Sequence, residues 1–114
     1  GIEILIENHW GPSHIPENLM RILKAASGLG LLFDTNNWKG DKEKAWEMFA
    51  PYARATHFKT FLWDEQGNET TRAVRTLQKA GYKGCWGIES CPREVDEYEG
   101  ARKTIALLRR LVEG

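Results

Sequence analysis

Short apolar runs alternate with amphipathic stretches along the chain, and this alternation repeats four times. The apolar runs predict β-strands at residues 2–7, 29–34, 53–60 and 83–89. Apolar side chains at three- and four-residue spacing predict helices at about 16–26, 41–52, 70–80 and 96–112. Strands that alternate with helices through short linkers are parallel and are joined by right-handed crossovers. The sequence therefore predicts an α/β fold of four strand–helix units in one domain, residues 1–114.

The second predicted helix shows how the buried faces are assigned. Its apolar positions at three- and four-residue spacing are Ala45, Met48, Phe49 and Tyr52. Such a stripe covers one side of a helix, so we expect these four side chains to pack against the sheet.

Four acidic or imidazole side chains lie toward the ends of the four apolar runs, just before a loop. They are Glu7, Asp34, His57 and Glu89. Four parallel strands form either a small open sheet or half of an eight-stranded barrel, and in both the ligands bind at the carboxyl ends of the strands. A single residue of this kind is more often a helix cap or an ion-pair partner. Four at equivalent positions of successive units favour a shared site.

The residue types of this group are those of a divalent-metal site. Carboxylates suit hard cations, and one imidazole shifts the preference toward transition metals, so we expect Mn²⁺, Mg²⁺, Co²⁺ or Zn²⁺. Glu7 and Glu89 can also serve as a base and acid pair.

The charge of the chain bears on its binding partners, and its cysteine content bears on its cellular compartment. Sixteen basic and sixteen acidic residues cancel, which gives no electrostatic footprint for nucleic acid or an anionic membrane. The apolar runs are too short to span a bilayer, and no signal-peptide pattern opens the chain. Cys85 and Cys91 fit no redox or zinc motif, so free thiols and a cytoplasmic location are expected. Because Gly1 already lies in a strand-like run and is not preceded by a Met, we expect a fragment of a longer protein.

Aromatic and basic residues near the predicted strand ends are candidates for substrate contacts. Trp10, Trp38 and Trp63 fall in the loops after strands and either stack on a sugar ring or fill the mouth of a barrel or a subunit contact. His9 donates to a substrate hydroxyl, orients Glu7, or packs in its loop. Lys59 alternates with His57 and is expected to face the same side of its strand. It either polarises a carbonyl or binds an anionic group, or else it forms an ion pair with a neighbouring strand.

Four segments resemble one protein family. IENHWG, LLFDTNNW, THFKTF and GYKGCWGIES are similar to the C-terminal half of the xylose isomerase-like TIM-barrel superfamily, which includes sugar and sugar-phosphate isomerases, epimerases and endonuclease IV. The resemblance covers essentially the whole chain and implies strands five to eight of a barrel. It also implies that the metal ligands are Glu7, Asp34, His57 and Glu89, with the two glutamates as proton donor and acceptor.

The chain departs from the family pattern at two positions. Asn37 replaces the His of the D-T-x-H motif, and Thr60 replaces the Asp of the H-x-K-D motif. Endonuclease IV holds a trinuclear zinc cluster with several more histidines than the three of this chain, so the resemblance favours a single-metal carbohydrate site. The expected substrate-binding residues are His9, Trp10, Asn37 and Lys59.

The expected activity is isomerisation or epimerisation of a sugar or sugar phosphate, by proton transfer next to a carbonyl through an enediolate. The alternative is a non-catalytic half-barrel that keeps the fold and the metal site. Because half of a barrel leaves two open sheet edges, we expect a two-fold symmetric homodimer that completes eight strands, or else a second polypeptide that supplies the other half.

Overall fold

The computed structural model of the protein describes residues 1–59, 68–93 and 95–114. From residue 4 to residue 79 the described chain alternates strands and helices, as the hydrophobic pattern predicts, and a further helix then follows without a regular strand before it. Single turns of 3₁₀ helix follow the first strand and the second helix, at Gly11–His14 and Ala50–Tyr52. The elements in chain order are β1 (Ile4–Glu7), α1 (Pro16–Ala25), β2 (Leu29–Asp34), α2 (Lys42–Phe49), β3 (Ala53–His57), α3 (Asn68–Lys79) and α4 (Glu97–Glu113).

The three strands form one parallel sheet in the order β1-β2-β3. In its register Glu7 pairs with Leu32 and Asp34 pairs with His57. Each strand-to-strand connection in the sheet contains a helix, as parallel neighbours require. The mixed α/β class and the parallel strand direction are therefore confirmed.

The predicted fourth strand, at 83–89, is not a regular strand in the structure. Isolated parallel bridges join Ala55 to Cys85 and Phe58 to Ile88. The Phe58 N–H donates to the Gly87 carbonyl at 2.9 Å, so the segment does run beside β3 in the predicted direction. The predicted position and parallel direction of this segment are confirmed. The prediction of a regular strand is wrong, because the segment lacks a continuous ladder of backbone hydrogen bonds to β3.

A threonine side chain on β3 accounts for the interrupted ladder. The Gly87 N–H donates to Thr56 Oγ1 at 3.0 Å, and the Cys85 and Gly87 carbonyls lie 3.2 and 3.3 Å from the same hydroxyl. This hydroxyl takes the place of strand-to-strand backbone bonds. The fourth segment, residues 83–89, is therefore attached to β3 partly through a side chain.

The close approach of these two backbones predicts that Gly87→Ala destabilises the protein. A Cβ at Gly87 would lie 2.5 Å from the Thr56 carbonyl oxygen, which is backbone and cannot turn aside. Overpacking of this kind costs about 1–3 kcal/mol, and urea denaturation should show a loss of that size. Gly1→Ala is the neutral control, since its Cβ meets no atom within 4 Å. An unchanged midpoint for Gly87→Ala would contradict the prediction.

Aromatic side chains fill the core between the sheet and the helices. Phe33 and Phe49 are fully buried, and Trp38 stacks on Phe49 with ring centroids 5.0 Å apart. Trp38 also meets Phe33 edge-on at 5.8 Å. Since Trp38 is a core residue, the sugar-stacking interpretation is wrong for it.

The buried face of α2 differs in part from the prediction. Ala45 and Phe49 are buried as expected, but Met48 and Tyr52 are 41% and 37% exposed. Trp46 is buried in their place. The helix ends at Phe49 and a 3₁₀ turn follows, so Tyr52 does not continue the helical stripe.

A three-stranded parallel sheet with helices occurs in open α/β folds and in barrels alike. The half-barrel, and its completion by a second copy, therefore stay predictions. In the described ranges no helix is long and apolar enough to cross a membrane. Thr60 and Trp63 lie outside the described residues.

Candidate metal centre

Three neighbouring strands end on three of the predicted ligands. β1 ends at Glu7, β2 at Asp34 and β3 at His57, so their side chains meet at one edge of the sheet. Glu89 directly follows Ile88, which forms the last bridge of the fourth segment to β3. One potential ligand atom from each of the four residues lies within 4.8 Å of those of the other three. The predicted grouping is thus what the strand register produces.

His57 connects the two glutamates of the group. Its Nδ1 lies 3.1 Å from Glu7 Oε1 and 3.9 Å from Glu89 Oε2. The side chains of Glu7 and His57 are 24% and 29% exposed, and that of Glu89 is 42% exposed. This side of the site is therefore open to small molecules from solvent.

Asp34 is the buried member of the group, with a fully inaccessible side chain. Its Oδ1 accepts the backbone N–H bonds of Asn36 at 2.7 Å and Asn37 at 3.0 Å, which closes a tight turn after β2. Among the described residues no well-aligned hydrogen-bond donor meets its Oδ2, which forms an ion pair with Lys59 Nζ at 3.3 Å. One oxygen thus holds the loop, while the other faces the Lys59 ammonium.

Asn8 is a site-building residue that the sequence reasoning missed. It is fully buried, donates from Nδ2 to the Asp34 carbonyl at 3.0 Å, and accepts the Asp34 N–H at its Oδ1 at 2.8 Å. The amide therefore completes the backbone pairing where β1 ends and β2 continues. It fixes Glu7, its neighbour in the chain, relative to Asp34.

Lys59 lies beside the four candidate ligands with only 6% of its side chain exposed. Its Nζ lies 2.6 Å from Glu89 Oε2 and 3.2 Å from Asn37 Oδ1, in addition to the contact with Asp34. These contacts confirm the prediction that Lys59 forms an ion pair with a neighbouring strand.

The loop after β2 holds the backbone of Lys59 in place. The Lys59 N–H donates to Thr35 Oγ1 at 3.0 Å, and the Thr35 hydroxyl lies 3.3 Å from the Lys59 carbonyl. The Asn36 side-chain amide donates to the same carbonyl. Thr35 and Asn36 directly follow Asp34 in the chain, and that adjacency is the one sequence signal that marks them.

Burial and ion pairing move three pKa values in this group. Burial raises the pKa of Asp34, against the opposing effect of its backbone hydrogen bonds and of Lys59. Burial alone would lower the pKa of Lys59, but the hydrogen bond to Glu89 and the charge of Asp34 outweigh it, so the pKa is raised. The hydrogen bond from Lys59 lowers the pKa of Glu89, with smaller contributions from His57 and His9. Lys59 and Glu89 therefore form a charged pair at neutral pH.

The four predicted substrate-binding residues border this group to different extents. Lys59 and Asn37 contact each other, and the Asn37 Nδ2 is buried without a hydrogen-bond partner among the described residues. His9 is near enough to influence Glu89. Trp10 is 84% exposed, with its ring centroid 5.2 Å from that of His9. Asn37 and Lys59 thus lie at the group itself, and Trp10 presents its indole to solvent.

The donor set fits a divalent cation. Three carboxylates and one imidazole are ligands used for Mn²⁺, Co²⁺ and Zn²⁺, and the carboxylates alone also suit Mg²⁺. Asp34 Oδ2 is a buried acceptor that no donor among the described residues meets in good alignment, and its contact with the Lys59 ammonium shows that it is placed to face a cation.

No protein-family model matches the chain, and no curated protein matches it.

Proposed function

We propose that the protein is a divalent-metal-dependent enzyme that moves a proton at a carbon next to a carbonyl, as in isomerisation or epimerisation of a sugar or sugar phosphate. The observation that carries this proposal is the convergence of Glu7, Asp34, His57 and Glu89, whose ligand atoms lie within 4.8 Å of one another. The resemblance of the four strand-end segments to the xylose isomerase-like superfamily supports it.

The two glutamates have the chemistry for the proton transfer. A bound divalent cation would polarise the carbonyl and acidify the adjacent C–H. Glu7 or Glu89 takes that proton as a general base, and the other returns one as a general acid. The partial exposure of both carboxylates, 24% for Glu7 and 42% for Glu89, gives a substrate access to them.

Other residues of the site supply donors for substrate oxygens. Asn37 presents a buried Nδ2 that has no acceptor among the described residues, and a sugar hydroxyl or carbonyl can provide one. The Lys59 ammonium contacts the oxygen of the same amide at 3.2 Å. The exposed indole of Trp10, with its ring centroid 5.2 Å from that of His9, offers a surface on which an apolar sugar face can stack.

Metal binding is the first test. Glu7→Gln and His57→Ala each remove one ligand, so the Mn²⁺ bound per chain at equilibrium should fall well below that of the parent protein. Glu3→Gln is the matched control, because Glu3 lies at the other end of the same segment and pairs with Arg54. Parent-like metal content in both ligand variants would overturn the site.

Proton exchange is the second test and does not require knowledge of the product. In deuterated water with Mn²⁺, the parent protein is expected to wash deuterium into the carbon next to the carbonyl of a panel of ketoses and their phosphates, followed by NMR. Glu7→Gln and Glu89→Gln should lose the exchange, since each removes both a metal ligand and a proton carrier.

A non-catalytic metal-binding protein is the second candidate. The favouring observation is the 2.6 Å contact of Lys59 Nζ with Glu89 Oε2, which lowers the pKa of that carboxyl and makes it a weaker base. Stoichiometric Mn²⁺ binding without exchange in any ketose would support this candidate over the enzyme.

A further inference from the structure

Lys59 already supplies a positive charge to the group of carboxylates at the sheet edge. Its Nζ contacts Glu89 Oε2 at 2.6 Å and Asp34 Oδ2 at 3.3 Å, and only 6% of the side chain is exposed. The Lys59 ammonium therefore contacts carboxylate oxygens of two of the four candidate metal ligands, Asp34 and Glu89.

Lys59 contacts Asp34 Oδ2, and this is also the Asp34 oxygen that a metal would bind. Asp34 Oδ1 accepts two backbone N–H bonds from the loop, which leaves Oδ2 for a cation. Divalent cations bind carboxylate oxygens at about 2.0–2.6 Å. An ammonium and a divalent ion on the same oxygen are close neighbours of like charge, and in a buried site such repulsion is poorly screened.

We propose that Lys59 is the resident cation of the metal-free site, and that it leaves Asp34 and Glu89 when a divalent metal binds. This inference rests on the proposed function, because it takes these two carboxylates as metal ligands. Lys59 then acts as a positioning residue: it keeps the carboxylates together without metal and competes with the metal for them. Its contact with Asn37 Oδ1, at 3.2 Å, involves neither carboxylate and can persist in the loaded site.

The competition predicts an affinity gain when the ammonium is removed. Lys59→Met has a side chain of similar length without charge, and it should bind Mn²⁺ roughly tenfold more tightly than the parent, since the affinity of carboxylate sites follows their net charge. Lys59→Arg keeps the charge and should show no gain. Lys103→Met removes a charge that pairs with Glu99 on α4 and is the control for net charge alone.

A purely structural role for Lys59 predicts the opposite result. Without its organising cation the site would bind Mn²⁺ equally well or more weakly, and either outcome for Lys59→Met would overturn the proposal. If the parent and all variants fail to bind Mn²⁺, both this inference and the metal site fail. If the parent binds and Lys59→Met gains nothing, only the inference fails.

The parent protein offers a second measurement in case Lys59→Met does not fold. With ¹⁵N-labelled lysine, the Lys59 ammonium is identified as the NMR signal that is missing from Lys59→Arg. Addition of the diamagnetic ion Mg²⁺ to one equivalent should shift that signal or broaden it by exposure to water. A Lys59 signal that stays unchanged while Mg²⁺ binds would overturn the proposed displacement.

Discussion

Asp34→Ala is expected to lose the metal site together with about 3 kcal/mol of unfolding free energy. Asp34 is fully buried and its two oxygens have different partners. Oδ1 accepts the N–H groups of Asn36 and Asn37, and Oδ2 pairs with Lys59. Alanine would leave two backbone donors without their acceptor and would remove one of the two carboxylates around the Lys59 ammonium.

Asp34→Asn separates the loss of metal binding from the loss of the hydrogen bonds that hold the turn. The amide keeps an oxygen that can accept the Asn36 and Asn37 N–H bonds, but it carries no charge for a metal. Because burial raises the pKa of Asp34, the folded protein keeps this carboxylate charged at a cost. Loss of the charge alone should therefore destabilise the protein less than loss of the whole side chain.

The measurements are urea denaturation without metal and Mn²⁺ binding, on the parent and both variants. We expect both variants to lose Mn²⁺ binding and Asp34→Ala to be the less stable of the two. If Asp34→Asn is as unstable as Asp34→Ala, the ion pair with Lys59 matters more than the turn. If Asp34→Ala binds Mn²⁺ like the parent, Asp34 is not a ligand.

The grouping of the four candidate ligands could be predicted from the sequence, because it depends only on where the strands end. Parallel strands place their carboxyl ends at one edge of the sheet, so an acidic or imidazole residue at each end must meet the others. Glu7, Asp34 and His57 are the last residues of their strands, as this argument needs. The alternation of His57 with Lys59 likewise placed the lysine on the same side.

The residues that build the site escaped the sequence reasoning because their partners are distant in the chain. Asn8 bonds to the backbone of Asp34, and Thr35 bonds to the backbone of Lys59. Hydrophobic periodicity carries no information about such side-chain-to-backbone bonds, since a polar residue after a strand looks like any loop residue. These positions become visible only when the register is known.

Side-chain hydrogen bonds to partners distant in the chain also underlie the two wrong predictions about the fourth strand and the buried face of α2. The fourth segment has the apolar content of a strand, but Thr56 offers it a hydroxyl in place of a backbone ladder. In α2, the periodicity favoured Met48, whereas Trp46 is buried and donates from Nε1 to the Thr35 carbonyl at 2.9 Å. In both cases tertiary hydrogen bonds of a single side chain, Thr56 or Trp46, accompany the departure from the local pattern.

Asn8→Ala is expected to lower the unfolding free energy by about 2–4 kcal/mol. The Asn8 amide satisfies both the N–H and the carbonyl of Asp34 in a fully buried position. Alanine would leave both backbone groups unpaired and a small void beside them. Because Asn8 also fixes Glu7 relative to Asp34, Mn²⁺ binding should weaken as well.

Asn8→Asp tests whether both hydrogen bonds matter. A carboxylate can still accept the Asp34 N–H, but it has no donor for the Asp34 carbonyl and would place a charge in a buried position beside another carboxylate. We expect a larger loss than for alanine at neutral pH, partly recovered in acid, where the carboxyl is protonated and can donate. Asn18→Ala, on α1 and away from the site, is the control for asparagine replacement. Losses below about 1 kcal/mol for both Asn8 variants in urea denaturation would show that this amide does not hold β1 to β2, since one net hydrogen bond is worth about that much.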